Sequence, residues 1–173
     1  MAEKKDEKKA PATKEAEENS TVDAIRTGNQ ITDDAITAAL AEINKEKDDN
    51  KKREAKKQLC IATYVNRKTV LLLQKNRREE KITKWKTEES KSLLERLLGV
   101  ECEIKDGECI PTKKKIDAKL RLTPVQHEAE TKKMEEECRK KTTESDKEFD
   151  EAMRELRNSY EGQYRHYVEC YWY

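Results

Sequence analysis

The chain has 173 residues, of which 43% are charged and 34% hydrophobic, with one Phe, four Gly and a formal net charge of +1. An average globular domain is roughly 25% charged, so a thick two-layer core is excluded. Near-neutral charge with distinct amphipathic blocks excludes disorder over most of the length. The composition therefore points to a mainly α protein of long helices, each burying a narrow stripe and solvating the rest. No stretch approaches the roughly 20 apolar residues that cross a bilayer, so no membrane partner is expected. The five cysteines lack the spacing of an extracellular disulfide framework, which places the chain in the cytoplasm or within a virion.

Residues 1–31 read as a charged tail and linker. The opening MAEKKDEKKAPATKEAEENS is of low complexity and lacks the apolar core of a secretory signal. The stretch TVDAIRTGNQ is expected to hold a helical turn before Gly28.

Residues 32–98 form a first long helical segment. Thr32 or Asp33 is the expected N-cap, with acidic residues in the first turn, where the helix dipole favours them. Ile36, Ala39, Leu40 and Ile43 follow at helical spacing. From Thr32 to Leu98 there is neither Gly nor Pro. As a single helix that run would be about 100 Å long; otherwise it is broken. Within it, CIATYVNRKTVLLL is rich in β-branched residues and has some strand character. Its periodicity selects helix, because Ala62, Val65, Thr69, Leu72 and Leu73 fall on one side. The same segment carries the strongest charge signal, with 13 basic and 3 acidic residues between Lys51 and Lys86. On a helical wheel Arg53, Lys56, Lys57, Arg67, Lys68, Lys75, Arg78, Lys81 and Lys86 cluster roughly opposite the apolar side. Such a stripe either follows phosphates or pairs with acidic protein surface. The flanks favour protein, since residues 1–50 carry 8 basic and 13 acidic residues and residues 128–173 carry 9 and 13. Tyr64 and Trp85 are the only rings between Lys51 and Lys86, so no stacking platform for single strands is indicated.

Gly99 is placed to end the helix as a C′ glycine. Residues 99–122 then hold a small β-hairpin and a linker. Asp106-Gly107 is a two-residue turn signal that sets Ile104 opposite Cys109. Val100, Cys102 and Ile104 are expected on the half-buried face, with Glu101, Glu103 and Lys105 on the other. A lone hairpin is marginal unless it packs on something. Cys102 and Cys109 lie across it without being directly opposed, and are read as ordinary buried thiols.

Residues 123–173 form a second long helix running to near the end of the sequence. Thr123 as N-cap, Pro124 at N1 and Gln126 at N3 make a capping box. The early half is almost wholly polar. The later half carries Phe149, Met153, Leu156, Tyr160, Tyr164, Tyr167 and Tyr171 in steps of four and three, with a repeated four between Tyr160 and Tyr164, which is close to heptad spacing. Trp172 and Tyr173 lie off that seam, so rings cover more than one side of the last turns.

The architecture is thus two long helices, broken or continuous, linked by a β-hairpin and folded back as an antiparallel pair or splayed. From about Thr32 to Tyr173 this element order resembles that of prefoldin subunits, which place β-hairpins between two coiled-coil helices. The likeness lies in element order and not in any sequence motif. It implies a coiled-coil chaperone whose helix tips hold clients.

Enzyme chemistry lacks its usual parts. His127 and His166 stand far apart in sequence, and no Gly-rich phosphate loop, nucleophile elbow or metalloprotease pair is present. His166 and Cys170 share a helix face, but two ligands do not close a metal site. No cofactor or metal is expected. The residues best suited to a role are the rings at the end, because Tyr and Trp bury large areas at low entropic cost. The sequence therefore reads as a non-enzymatic assembly protein that docks onto other subunits of a larger complex, such as a phage capsid accessory, connector or internal protein. Phe149, Met153, Leu156, Tyr160, Tyr164, Tyr167, Tyr171, Trp172 and Tyr173 form the docking surface. The alternatives are a nucleic-acid-binding accessory protein using the basic stripe and the prefoldin-like chaperone.

Overall fold

A computed structural model describes residues 30–172 of the chain. The tail, the helical turn expected before Gly28, and Tyr173 lie outside the described residues. What is described is mainly helical, with a two-stranded hairpin between the two long helices. No helix among the described residues is long and apolar enough to cross a membrane.

Helix α1 spans Asp33–Asn44. Thr32 caps it, its Oγ1 accepting the Ala35 N–H at 3.2 Å, and Asp33 and Asp34 occupy the first turn. Ala39 and Ile43 bury on one face, while Ile36 and Leu40 are only half-buried. The long run without Gly or Pro is broken after Lys45, and α2 spans Asp49–Leu98. Asp48 causes the restart. Its Oδ1 accepts the N–H groups of Asn50 at 2.9 Å and Lys51 at 3.2 Å, satisfying donors that a new helix leaves orphaned.

Gly99 ends α2 with φ +75°, its N–H on the Glu95 carbonyl at 2.8 Å. A Cβ there would stand 2.8 Å from Arg121 Nε, so close approach as well as backbone conformation calls for glycine. Strand β1 (Val100–Lys105) pairs antiparallel with β2 (Glu108–Lys115). The turn has positive φ at both Asp106 and Gly107, as a type I′ turn requires, and Ile104 faces Cys109. A bulge between Val100 and Cys102 shifts the ladder, so Cys102 meets Pro111 and Val100 meets Lys115. The half-buried face expected through Val100, Cys102 and Ile104 is only partly formed. Cys102 is buried and Val100 half-buried, but Ile104 is 46% exposed. The hairpin tip reaches past the surface that covers its base.

A short 3-10 turn at Ala118–Leu120 leads to α3, Pro124–Asn158. Its capping box is reciprocal: Gln126 N–H donates to Thr123 Oγ1 at 3.2 Å, and Thr123 N–H donates to Gln126 Oε1 at 3.0 Å. The second helix does not run through to the end as expected. It stops at Asn158, where Ser159 Oγ donates to the Leu156 carbonyl at 2.6 Å. Gly162, at φ +57°, then opens α4 (Gly162–Val168), followed by a 3-10 turn at Glu169–Tyr171.

The chain divides into two compact units. In unit 1, described residues up to Leu73 join those from Ala152 onward; unit 2 is Gln74–Glu151. In unit 2, Lys75 meets Phe149, Arg78 meets Ser145, Trp85 meets Lys141 and Ser90 meets Met134, so α2 and α3 run antiparallel there. The base of its hairpin is fixed to the helix end by Cys102 N–H donating to Glu95 Oε2 at 3.0 Å, and the 3-10 turn that follows by Arg96 Nε donating to the Leu120 carbonyl at 2.8 Å. In unit 1, α1 is tied to α2 by Ile31 N–H on Asn66 Oδ1 at 2.9 Å and by the Arg67–Asp33 ion pair at 2.8 Å.

Candidate docking surface

The aromatic residues of unit 1 divide into those that pack on their own chain and those that stay in solvent. Tyr64, on α2, is fully buried and meets Tyr160 edge-on at 5.6 Å between ring centres. Burial pushes the half-buried Tyr160 hydroxyl up to about 12. Met153 and Leu156 of the same unit are buried too, as the helical spacing predicts. Phe149 belongs to unit 2, where it is half-buried under Lys75 Nζ, 4.9 Å from the ring centre.

Beyond Tyr160 the seam does not continue. Val168 takes the buried position, at 0% exposure, while Tyr164 and Tyr171 are 41% and 42% exposed. The physical reason is the break at Ser159–Glu161, because a positive φ at Gly162 resets the helical phase. Tyr167 is half-buried, edge-on to Tyr164 at 6.3 Å, with Lys57 Nζ 6.0 Å above its ring. Trp172, expected off the seam and uncovered, is half-buried by its own chain. The guanidinium groups of Arg157 and Arg165 lie 5.4 and 5.1 Å from its ring centre, and Arg157 Nη2 donates to its carbonyl at 3.2 Å. Two further bonds hold the segment down: Cys60 Sγ donates to the Tyr164 carbonyl at 3.7 Å, and Lys68 Nζ to that of Tyr171 at 2.9 Å. The segment is therefore a strap, fixed underneath and showing two rings outward.

The basic stripe faces largely inward. Arg67 pairs with Asp33, and Lys68 with the strap. In unit 2, Lys75 reaches Asp146 at 3.5 Å, and Arg78 donates to Ser145 Oγ at 3.1 Å and meets Glu148 at 3.4 Å. Lys56 and Lys57 are half-buried; Arg53, Lys81 and Lys86 remain exposed. The apolar side read from Ala62, Val65, Thr69, Leu72 and Leu73 is not the most buried one. Cys60, Thr63, Tyr64, Asn66 and Val70 are buried, whereas Leu72 is exposed. Long cationic stems lie along apolar surface and carry their charge to an acceptor, so charge on a wheel does not mark the outside. Cys60, Tyr64 and Arg67 already show the steps of four and three that would have marked this side.

Burial pushes the Cys60 thiol up to about 11 and raises Cys102 as well, the latter helped by a hydrogen bond with Cys109. All five thiols are free, but only Cys60 and Cys102 are buried; Cys109 and Cys138 are half-buried and Cys170 is exposed. No group of three or more His, Cys, Asp or Glu that could hold a metal ion occurs among the described residues. His166 instead lies 3.8 Å from Glu169. Four polar atoms of unit 1 are buried with no hydrogen-bond partner among the described residues: Tyr64 Oη, Arg67 Nε, Arg157 Nε and Trp172 Nε1. Compared with protein-family models, with curated proteins and with solved structures, the chain matches none.

Proposed function

We propose that this chain is a non-enzymatic structural protein that docks onto other subunits of a larger assembly through its aromatic strap. The observation that carries this reading is the pair Tyr164 and Tyr171, both exposed on a segment anchored by Val168, Lys68 and Arg157. Rings that are already immobilised lose little entropy on binding, which is what an interface anchor needs. Composition supports the setting, since a Lys- and Glu-rich chain of extended elements suits a small virion component such as a capsid accessory, connector or internal protein. The nucleic-acid alternative is weakened because Arg67, Lys68, Lys75 and Arg78 are spent on acceptors of their own chain. It retains Arg53, Lys56, Lys81 and Lys86, and predicts binding that falls steeply with salt.

The test is the double substitution Tyr164→Ser with Tyr171→Ser. Both side chains are outside the core, so helicity by circular dichroism should not change. Incorporation into the native assembly should be lost. Unchanged incorporation would contradict the docking reading.

A further inference from the structure

The hairpin of unit 2 carries two cysteines on one face. Its register sets Cys102 against Pro111 and Ile104 against Cys109, so Cys102 and Cys109 are diagonal neighbours on the same side of the ladder. In a flat ladder a diagonal pair stands farther apart than a disulfide spans. Two local features bring this pair closer. A two-stranded ribbon twists strongly, and the bulge between Val100 and Cys102 adds twist beside Cys102. A hydrogen bond joins the Cys102 and Cys109 side chains.

The two thiols differ in access. Cys102 is 3% exposed, while Cys109 is half-buried. The backbone of Cys102 is also held from behind, its N–H donating to Glu95 Oε2 at 3.0 Å. Burial, the hydrogen bond with Cys109 and the Glu95 carboxylate all hold the Cys102 thiol in its protonated form, with Lys91 acting the other way. A reagent in solution therefore meets Cys109 first, and Cys102 stands beside it as the resolving thiol. An accessible thiol with a second thiol alongside goes on to a disulfide and does not stop at an adduct.

We propose that Cys102 and Cys109 are a reversible redox pair, which a small-molecule disulfide of the glutathione class oxidises to an intrachain disulfide that clamps the hairpin. It does not depend on the docking reading, which rests on the exposed Tyr164 and Tyr171. In the first step the Cys109 thiolate attacks one sulfur of glutathione disulfide. A bond forms between Cys109 and that sulfur, and one glutathione thiolate leaves. In the second step Cys102 gives its proton to that thiolate and attacks the Cys109 sulfur. The intrachain bond forms, and a second glutathione thiolate leaves and takes the proton that Cys109 had lost. Two protein thiols are oxidised, and one glutathione disulfide is reduced to two glutathione thiols. The new bond ties β1 to β2 just below the tip, where Ile104 and Ile110 are 46% and 44% exposed.

Trypsin cuts after Arg96, Lys105 and Lys113, so the two cysteines fall in separate peptides, 97–105 and 106–113, which a disulfide between them joins. The test equilibrates the full chain with mixtures of glutathione and glutathione disulfide, quenches with acid, alkylates, digests and reads the peptides by mass spectrometry. The joined pair should form with wild-type protein and vanish on return to excess glutathione. Its equilibrium constant should be about tenfold or more higher for the folded chain than for the chain in urea, because the hairpin holds the thiols together beforehand. Cys102→Ser should leave Cys109 as its mixed disulfide with glutathione, with helicity unchanged by circular dichroism. Amides of Glu103 and Ile110, which face each other in the ladder, should exchange more slowly in the oxidised protein. Three results overturn the proposal. The first is no joined pair from folded wild-type protein. The second is a pair formed no more favourably in the folded chain than in urea, which is the chance closure of a short loop. The third is equal exchange at Glu103 and Ile110 in both forms.

Discussion

The two units are built from the same two long helices and are held together differently. Among the described residues, unit 1 has eight buried apolar side chains, including Tyr64, Val70, Met153, Leu156 and Val168, and unit 2 has Leu93, Cys102 and Met134. In place of a core, unit 2 stacks Lys141 over Trp85 at 4.3 Å and Lys75 over Phe149 at 4.9 Å. It also pairs Arg78 with Ser145 and sets Ser90 Oγ 3.5 Å from Met134 Sδ. Among the described residues, a chain that is 43% charged thus buries most of its apolar core side chains in unit 1. Elsewhere, side-chain stems and fixed charges keep the helices in register. Stability should be correspondingly uneven: the cored unit sensitive to cavities, the polar unit to salt.

The largest effect should come from Tyr64→Ala. It removes a fully buried ring and its edge contact with Tyr160, at a cost of about 3–5 kcal/mol by urea unfolding. A loss below about 1 kcal/mol would mean that unit 1 has no real core. Alkaline pH comes next. Cys60 titrates up to about 11 in the fold against 9.0 for a free thiol, and Tyr160 up to about 12 against 10.0. For both, the folded state favours the neutral form. Their contribution is fully present below about pH 9 and is lost as pH rises through about 11 for Cys60 and about 12 for Tyr160. Cys60→Ala should flatten the fall of the unfolding midpoint between those values. An unchanged slope would count against a buried Cys60.

Thr123→Ala opens the capping box at the start of α3 and should cost about 1 kcal/mol. The smallest change expected is Lys141→Gln in unit 2, roughly 0.5–1 kcal/mol for one cation held over one ring. If Lys141→Gln matched Tyr64→Ala, the contrast between the units would collapse.

The features legible in the sequence were those fixed by neighbouring residues. Thr32, the Thr123–Gln126 box, Gly99 and the Asp106-Gly107 turn act within a few residues, and so did the pairing of Ile104 with Cys109. Asp48 is a local cap too, but it sits in a charged run with no Gly or Pro to draw attention to it. Which side of α2 turns inward is a different kind of question. It depends on Tyr160 and Tyr164, about a hundred residues away, and on arginine and lysine stems that pass for surface on a wheel. For the rings at the end of the sequence, composition shows which residues are large but not which of them are covered. The break before Gly162 moved burial from Tyr164 and Tyr171 to Val168.

Residue-resolved amide hydrogen exchange at about 0.1 M and about 1 M sodium chloride tests the contrast between the units most directly, because the screening length falls from about 10 Å to about 3 Å. The account predicts that amides near Tyr64 and Met153 keep their protection at high salt, while those near Arg78, Trp85 and Lys141 exchange measurably faster. Equal salt response in both regions would contradict it.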